Sequence, residues 1–293
     1  MFGTAWLFGR LLGLDGYAKR FEQLICSKPL ATDQKVHRAE QSGKRLSRTA
    51  GDARWEVIAI VEVSVHSQPA KNVLVGTREP LLVYLHGLGE IGGARVEQVE
   101  KHGPWEHVRS LEDGYHADTR AEIARFHVLG FHLSRGDWDG VQLNDRLQAY
   151  IADHPEVDSE RIYLTGVSLG GRGVLRLTLT NLRISALAVF CPAGGNLEYS
   201  DTDIERFRLV PIYFFSCPMD TIVPFRGTEA LQQRIGARSS RLRVVKVDEL
   251  AFQSSPHVCW SHVYGHPDLY RWLRNSPLDP RSWPDMAPLP YAT

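Results

Sequence analysis

Cysteine is scarce in this chain: four residues in 293, none of them in a C-x-x-C pair. That excludes a disulfide framework and leaves zinc held by thiolates without support. A reducing, cytoplasmic setting is expected. Charge of one sign is not in excess either, with 34 Lys and Arg against 34 Asp and Glu, so no global field draws the chain to nucleic acid or to an anionic membrane. Aromatic residues are not interleaved with a basic stripe, and no nucleic-acid partner is expected. No apolar run approaches the ~18 residues of a membrane span. The first twenty residues, MFGTAWLFGRLLGLDGYAKR, are apolar but have no basic leader, carry Arg10 inside the apolar run and show no small-x-small cleavage site. They do not read as a signal peptide. Neither an H-E-x-x-H pair nor a strand-borne G-x-G-x-x-G occurs, so no metal and no nucleotide cofactor are expected.

What is there is a globular composition, 43% hydrophobic, arranged in three zones. Residues 1–52 form an N-terminal extension, a helical segment striped by Phe2, Trp6, Leu7, Leu11 and Leu14 and then a polar linker. A lid, a homodimer arm, a surface-docking helix and plain packing are all open to it. Residues 276–293 carry five prolines and read as an extended tail. Between them, residues 53–275 alternate strand-like and helix-like segments. Strands are expected at 55–67, 81–85, 126–133, 161–165, 186–190, 211–216 and 242–247, and helices at 141–152, 169–180, 227–235 and 268–273. Such alternation predicts an α/β fold, a mostly parallel, doubly wound sheet flanked by helices. Functional residues then belong just beyond the carboxyl ends of the strands.

The strongest chemical signal is Gly166-Val167-Ser168-Leu169-Gly170, a G-x-S-x-G with a strand before it and a helix after it. In that context Ser168 stands on a sharp turn, a nucleophile elbow, and the two glycines remove Cβ atoms that would clash there. A serine hydroxyl needs a base oriented by a third group. Asp220 follows the strand PIYFFS and is the expected acid, with Asp248 a lesser alternative. Of the histidines beyond it, His257 lies in the loop before the last helical segment and is the expected base, ahead of His262 and His266. Together these give the Ser, acid, His chain order of a catalytic triad. An oxyanion hole is expected from the backbone N–H groups of Leu169 and of Leu88, the latter in the His86-Gly87-Leu88-Gly89-Glu90 loop. His86 reads as a brace for that loop. Glu90 and Trp138 are the residues placed at the substrate pocket; Glu90 reads as holding the loop by hydrogen bonding, against a merely solvated role, and Trp138 as a pocket wall, against ordinary packing. Cys191 and Cys217 both end strands that would be neighbours, either as buried thiols or as a pair.

LLVYLHGLGE, HGPWEHV, VDSERIYLTGVSLGG, CPMDTIVP and HVCWSHVYGHPDLYRWL, in that order over roughly residues 55–275, resemble the α/β-hydrolase superfamily. The branch they are most similar to is the phospholipase/carboxylesterase and polyhydroxybutyrate-depolymerase-like esterases of the predicted peptidase type. The resemblance implies a serine esterase acting on a small-molecule acyl ester, with Ser168, Asp220 and His257 at the triad positions and Leu88 and Leu169 at the oxyanion positions. A thioesterase, an acyltransferase or a peptidase would use the same triad, and a non-catalytic hydrolase-fold binding protein is the reading from another class. Two segments depart from the family pattern. HLSRGDWDG stands where a proline-containing segment is usual, and Val258 and Cys259 follow the histidine where Gly or Asn is common.

Overall fold

The structure is a computed structural model, and it describes residues 55–56, 78–91, 99, 101–109, 117–180, 184–193, 199–236, 242–246 and 255–275. The extension at 1–52, the tail at 276–293, Asp248 and most of the first expected strand lie outside the described residues.

Seven strands form one sheet: β1 (Trp55–Glu56), β2 (Glu79–Leu85), β3 (His127–Leu133), β4 (Val157–Val167), β5 (Ile184–Phe190), β6 (Ile212–Ser216) and β7 (Leu242–Lys246). Their spatial order is β1-β3-β2-β4-β5-β6-β7. All neighbours from β3 to β7 pair parallel, and only β1, on the β3 edge, runs antiparallel. The helices are α1 (Pro104–Arg109), α2 (Ala117–Ile123), α3 (Gly140–Asp153), α4 (Leu169–Thr178), α5 (Asp201–Phe207), α6 (Phe225–Gly236), α7 (Trp260–Tyr264) and α8 (Pro267–Asn275), with a 3-10 turn at Leu88–Glu90.

Strand side chains alternate between two faces, and here both faces are covered. Leu82, Tyr84, Tyr163, Ala188 and Phe215 join the residues of α7 and α8 in one core. Leu81, Val83, Leu85, Leu164, Leu187 and Phe214 join those of α3 to α6 in the other. A strand with apolar neighbours above and below reads as a continuous run such as LLVYL, because neither face meets water. The expected doubly wound sheet is therefore the observed one. Segment 192–210 contains α5, whose Ile204 and Phe207 are buried in the second core. Among the described residues no helix is long and apolar enough to cross a membrane.

Candidate active site

Ser168 sits between β4 and α4 with φ +53° and ψ −115°, a left-handed backbone that side-chain-bearing residues rarely adopt. The turn is held by its neighbours. The Ser168 N–H donates to the Phe190 carbonyl at 2.8 Å, and the Ser168 carbonyl accepts from Ala193 at 3.1 Å. A Cβ on Gly170 would lie 1.9 Å from the Leu85 carbonyl oxygen, and one on Gly166 would lie 2.6 Å from the Gly170 oxygen. Only glycine lets α4 begin this close to the end of β2. That contact brings the first turn of α4, where backbone N–H groups have no acceptor within the helix, beside the loop that follows β2. Leu169 is the first residue of α4, and Leu88 opens the 3-10 turn across from it.

Three expected residues meet. Ser168 Oγ is 3.1 Å from His257 Nε2, and His257 Nδ1 is 2.7 Å from Asp220 Oδ2. Asp220 lies in the turn after β6, and its side chain is wholly buried. Its Oδ1 accepts the N–H groups of Ile222 and Val223, both at 2.8 Å. With one oxygen fixed by the backbone, the other is aimed at the imidazole. The carboxylate can only accept, so the Nδ1 proton lies between Asp220 and His257, and in the neutral ring Nε2 accepts from Ser168. Burial opposes a charged His257, but the Asp220 hydrogen bond and the Cys191 thiol beside the ring outweigh it and push its pKa up to about 9. His262 is half-buried on α7, and His266 caps the entry to α8 by accepting the Asp268 N–H.

The loop after β2 is braced from below. His86 Nε2 accepts the Leu133 N–H at 2.9 Å, so the ring proton is on Nδ1, which donates to the Gly87 carbonyl at 2.8 Å. Burial lowers the His86 pKa to about 3, against the pull of the Gly87 bond, so this imidazole stays neutral and structural. Trp138 corrects an expectation. It has no accessible surface, and its Nε1 donates to the His86 carbonyl at 3.2 Å while its ring packs in the second core. A side chain with no exposed atom cannot wall a pocket that substrate enters; it supports the loop instead.

Glu90 is 5% exposed, with Oε1 3.4 Å from His102 Nε2. A Cβ on Gly87 would lie 3.2 Å from Glu90 Oε2 and 3.6 Å from Ser168 Cβ, so the carboxylate borders the site. It is not merely solvated. Burial raises its pKa above the ordinary glutamate range, and His102, Lys101 and backbone N–H groups at Glu90 and Gly87 pull the other way. Glu90→Ala leaves the Gly87 N–H without this acceptor and is expected to cost about 1–3 kcal/mol in urea unfolding. Glu90→Gln keeps an acceptor oxygen and is expected to lose less. Equal losses in the two variants would assign the cost to the charge rather than to the loop anchor.

Sequence reasoning missed His102 and Trp260. The Trp260 ring meets both histidines edge-on, His257 at 5.3 Å and His102 at 5.8 Å between centroids. The available signal was its place three residues after His257, at the first position of α7. Of the two expected outcomes for Cys191 and Cys217, the structure has the buried thiols. Cys191, Cys217 and Cys259 are all buried and none is in a disulfide, and Cys191 Sγ lies 3.2 Å from Cys259 Sγ. One group of metal-ligating atoms occurs among the described residues, from Cys191, Asp220 and His257, all within 4.8 Å of one another. Two of these residues are already engaged with each other through the Asp220–His257 hydrogen bond.

No model of a protein family matches the sequence, and neither does any curated protein sequence. Solved structures do. A thermostable esterase superposes with a TM-score of 0.52 at 19% identity, over 69% of this chain and 56% of that one. This chain thus spans little more than half the length of that esterase. A putative dienelactone hydrolase from Klebsiella pneumoniae subsp. pneumoniae MGH 78578 gives a TM-score of 0.44 at 15% identity, over 69% and 89% of the two chains. A ferulic acid esterase gives 0.45 at 14%, over 68% and 85%. At 19% identity the likeness to the thermostable esterase shows a common fold and nothing beyond it.

Proposed function

We propose that this chain, which has the α/β-hydrolase fold, is a serine hydrolase that cleaves carboxylic esters of small molecules through an acyl-serine intermediate. The observation that carries this reading is the unbroken hydrogen-bond chain from Ser168 through His257 to Asp220. Its three members come from three separate loops at the carboxyl end of one sheet.

In this reading Ser168 Oγ attacks the acyl carbonyl as its proton passes to His257 Nε2. The imidazolium is held by Asp220, and the N–H groups of Leu169 and Leu88 receive the oxyanion. Collapse breaks the bond to the alcohol oxygen, which leaves with the proton from Nε2. A water molecule then repeats the sequence on the acyl-serine, releasing the carboxylic acid and restoring the serine. The raised His257 pKa supports one further expectation. The base must be neutral to act, so kcat/KM should climb with pH on a limb above the ordinary imidazole range near 6.5.

The test is labelling of the full chain with a fluorophosphonate, followed by ester, thioester and amide panels. Stoichiometric modification of Ser168 together with p-nitrophenyl ester turnover is expected. Thioester or amide turnover with inert esters would move the assignment to a thioesterase or a peptidase. A folded protein that takes no label would be a binding protein on this fold.

A further inference from the structure

The mechanism above makes no use of two buried thiols, one of which lies within 4.8 Å of its base. Cys191 follows β5 directly, with φ +42°, and its N–H donates to the Phe215 carbonyl at 2.8 Å. Cys259 lies two residues beyond His257 at the head of α7. Both are buried, 1% and 0% exposed, and their sulfur atoms are 3.2 Å apart although 68 residues separate them in the chain. Cys191 also interacts with the His257 ring.

We propose that Cys191 and Cys259 are a covalent modification site: a small hydroperoxide joins them in a disulfide, and that bond draws His257 out of register with Ser168. The consequence for activity rests on the serine-hydrolase reading; formation of the bond does not.

The geometry dictates which partner moves. Closing the sulfurs from 3.2 Å to a bond of about 2.0 Å takes more than an ångström. Cys191 ends a strand paired on both sides, by β4 and by β6, and its own backbone is bound to β6. Cys259 belongs to the 255–259 turn, which carries His257 and is fastened locally by Val258 N–H to the Ser255 carbonyl. The displacement therefore falls on the segment that holds the imidazole. The Ser168–His257 contact is already 3.1 Å, long for a hydroxyl donor, and a further few tenths of an ångström remove it.

The chemistry balances. The Cys259 contact and then burial hold the Cys191 thiol in its protonated form, and the adjacent His257 imidazole, in its neutral form, is the base that takes the proton. The Cys191 sulfur attacks one peroxide oxygen. The O–O bond breaks, and the leaving oxygen departs as an alcohol, or as water from hydrogen peroxide, with the proton from His257. Cys191 is then a sulfenic acid. The Cys259 sulfur attacks the Cys191 sulfur, the S–O bond breaks, and water leaves with the Cys259 proton. Two thiols have given two electrons to one peroxide, and a dithiol reductant reverses the result. Burial restricts the reagent to a small one, so bulky maleimides should leave Cys191 and Cys259 of the native protein unmodified.

The experiment treats the full chain with hydrogen peroxide and digests it without reduction. A linked Cys191–Cys259 peptide is expected, with fluorophosphonate labelling of Ser168 slowed at least tenfold and restored by dithiothreitol. Cys259→Ser should give no link and should keep its labelling rate in peroxide. Cys191 oxidised singly, with no linked peptide, overturns the proposal. So does a linked protein that labels at the untreated rate. If the untreated protein takes no label, the serine-hydrolase reading fails, and the downfield resonance of the His257 Nδ1 proton becomes the readout. Its loss on linking supports the displacement of His257, and its persistence overturns it.

Discussion

Ser168→Ala is expected to lower p-nitrophenyl ester turnover by about 10⁶-fold, which is ~8 kcal/mol of lost transition-state stabilisation. The size follows from what is removed. In the proposed reaction the hydroxyl is the atom that forms the acyl bond, and it is the group that His257 Nε2 meets at 3.1 Å. The residual rate over water would come from the Leu88 and Leu169 N–H groups and from binding. The same substitution is expected to change stability by no more than about 1 kcal/mol, since it deletes one hydrogen bond and little volume. Alanine meets the strained φ of +53° no differently from serine, since both carry a Cβ. Kinetics and urea unfolding on one preparation separate the two effects. Wild-type turnover by the alanine variant would remove Ser168 from the mechanism. A large loss of stability would assign the loss of turnover to the fold instead.

Much of this arrangement was legible because the residues that make it are dictated locally. LLVYL reads as a doubly buried strand since its own side chains supply both core faces, and G-x-S-x-G fixes its turn through the two glycines inside it. The order serine, acid, histidine fixes which aspartate and which histidine to seek. The strand before the serine was read short. Its first residues, Val157 to Glu160, are mostly polar, and its pairing with β2 shifts register at Pro80 and Leu81. Helix α2, ADTRAEI, was not read at all. It has no apolar stripe, and its Glu122 is buried because Arg271 and Arg274 of α8 meet it, Arg271 Nε at 3.0 Å. A charge that is buried only through residues some 150 positions away leaves no local trace. The same holds for Trp138 and for the cysteines. Cys191 and Cys217 both follow neighbouring strands and look equivalent in the sequence. Which of them faces Cys259 depends on the path of the 255–259 turn, which no local pattern encodes.

Asp220→Asn should reduce kcat by about 10⁴-fold, and the reason lies in the two oxygens being unequal. Oδ1 accepts the Ile222 and Val223 N–H groups at 2.8 Å, so the amide oxygen of asparagine must occupy that position. The amide NH₂ then falls where Oδ2 now accepts from His257 at 2.7 Å. Facing a donor, Nδ1 must be the unprotonated nitrogen, and the ring proton moves to Nε2, opposite Ser168. The base then presents a hydrogen to the group whose proton it should take. The charge is lost as well, so the His257 pKa should fall from about 9, and the acid limb of the residual activity should move to lower pH. Stability provides an independent check with a defined sign. A histidine whose pKa is raised by folding stabilises the native state fully below its unfolded value near 6.5, and that contribution is lost as pH rises through the folded value. The wild-type advantage over Asp220→Asn in urea should therefore be largest below about pH 6.5 and shrink towards pH 9 and above. An advantage that stayed constant from pH 6 to pH 10 would mean that the carboxylate holds its turn but does not hold a proton on His257.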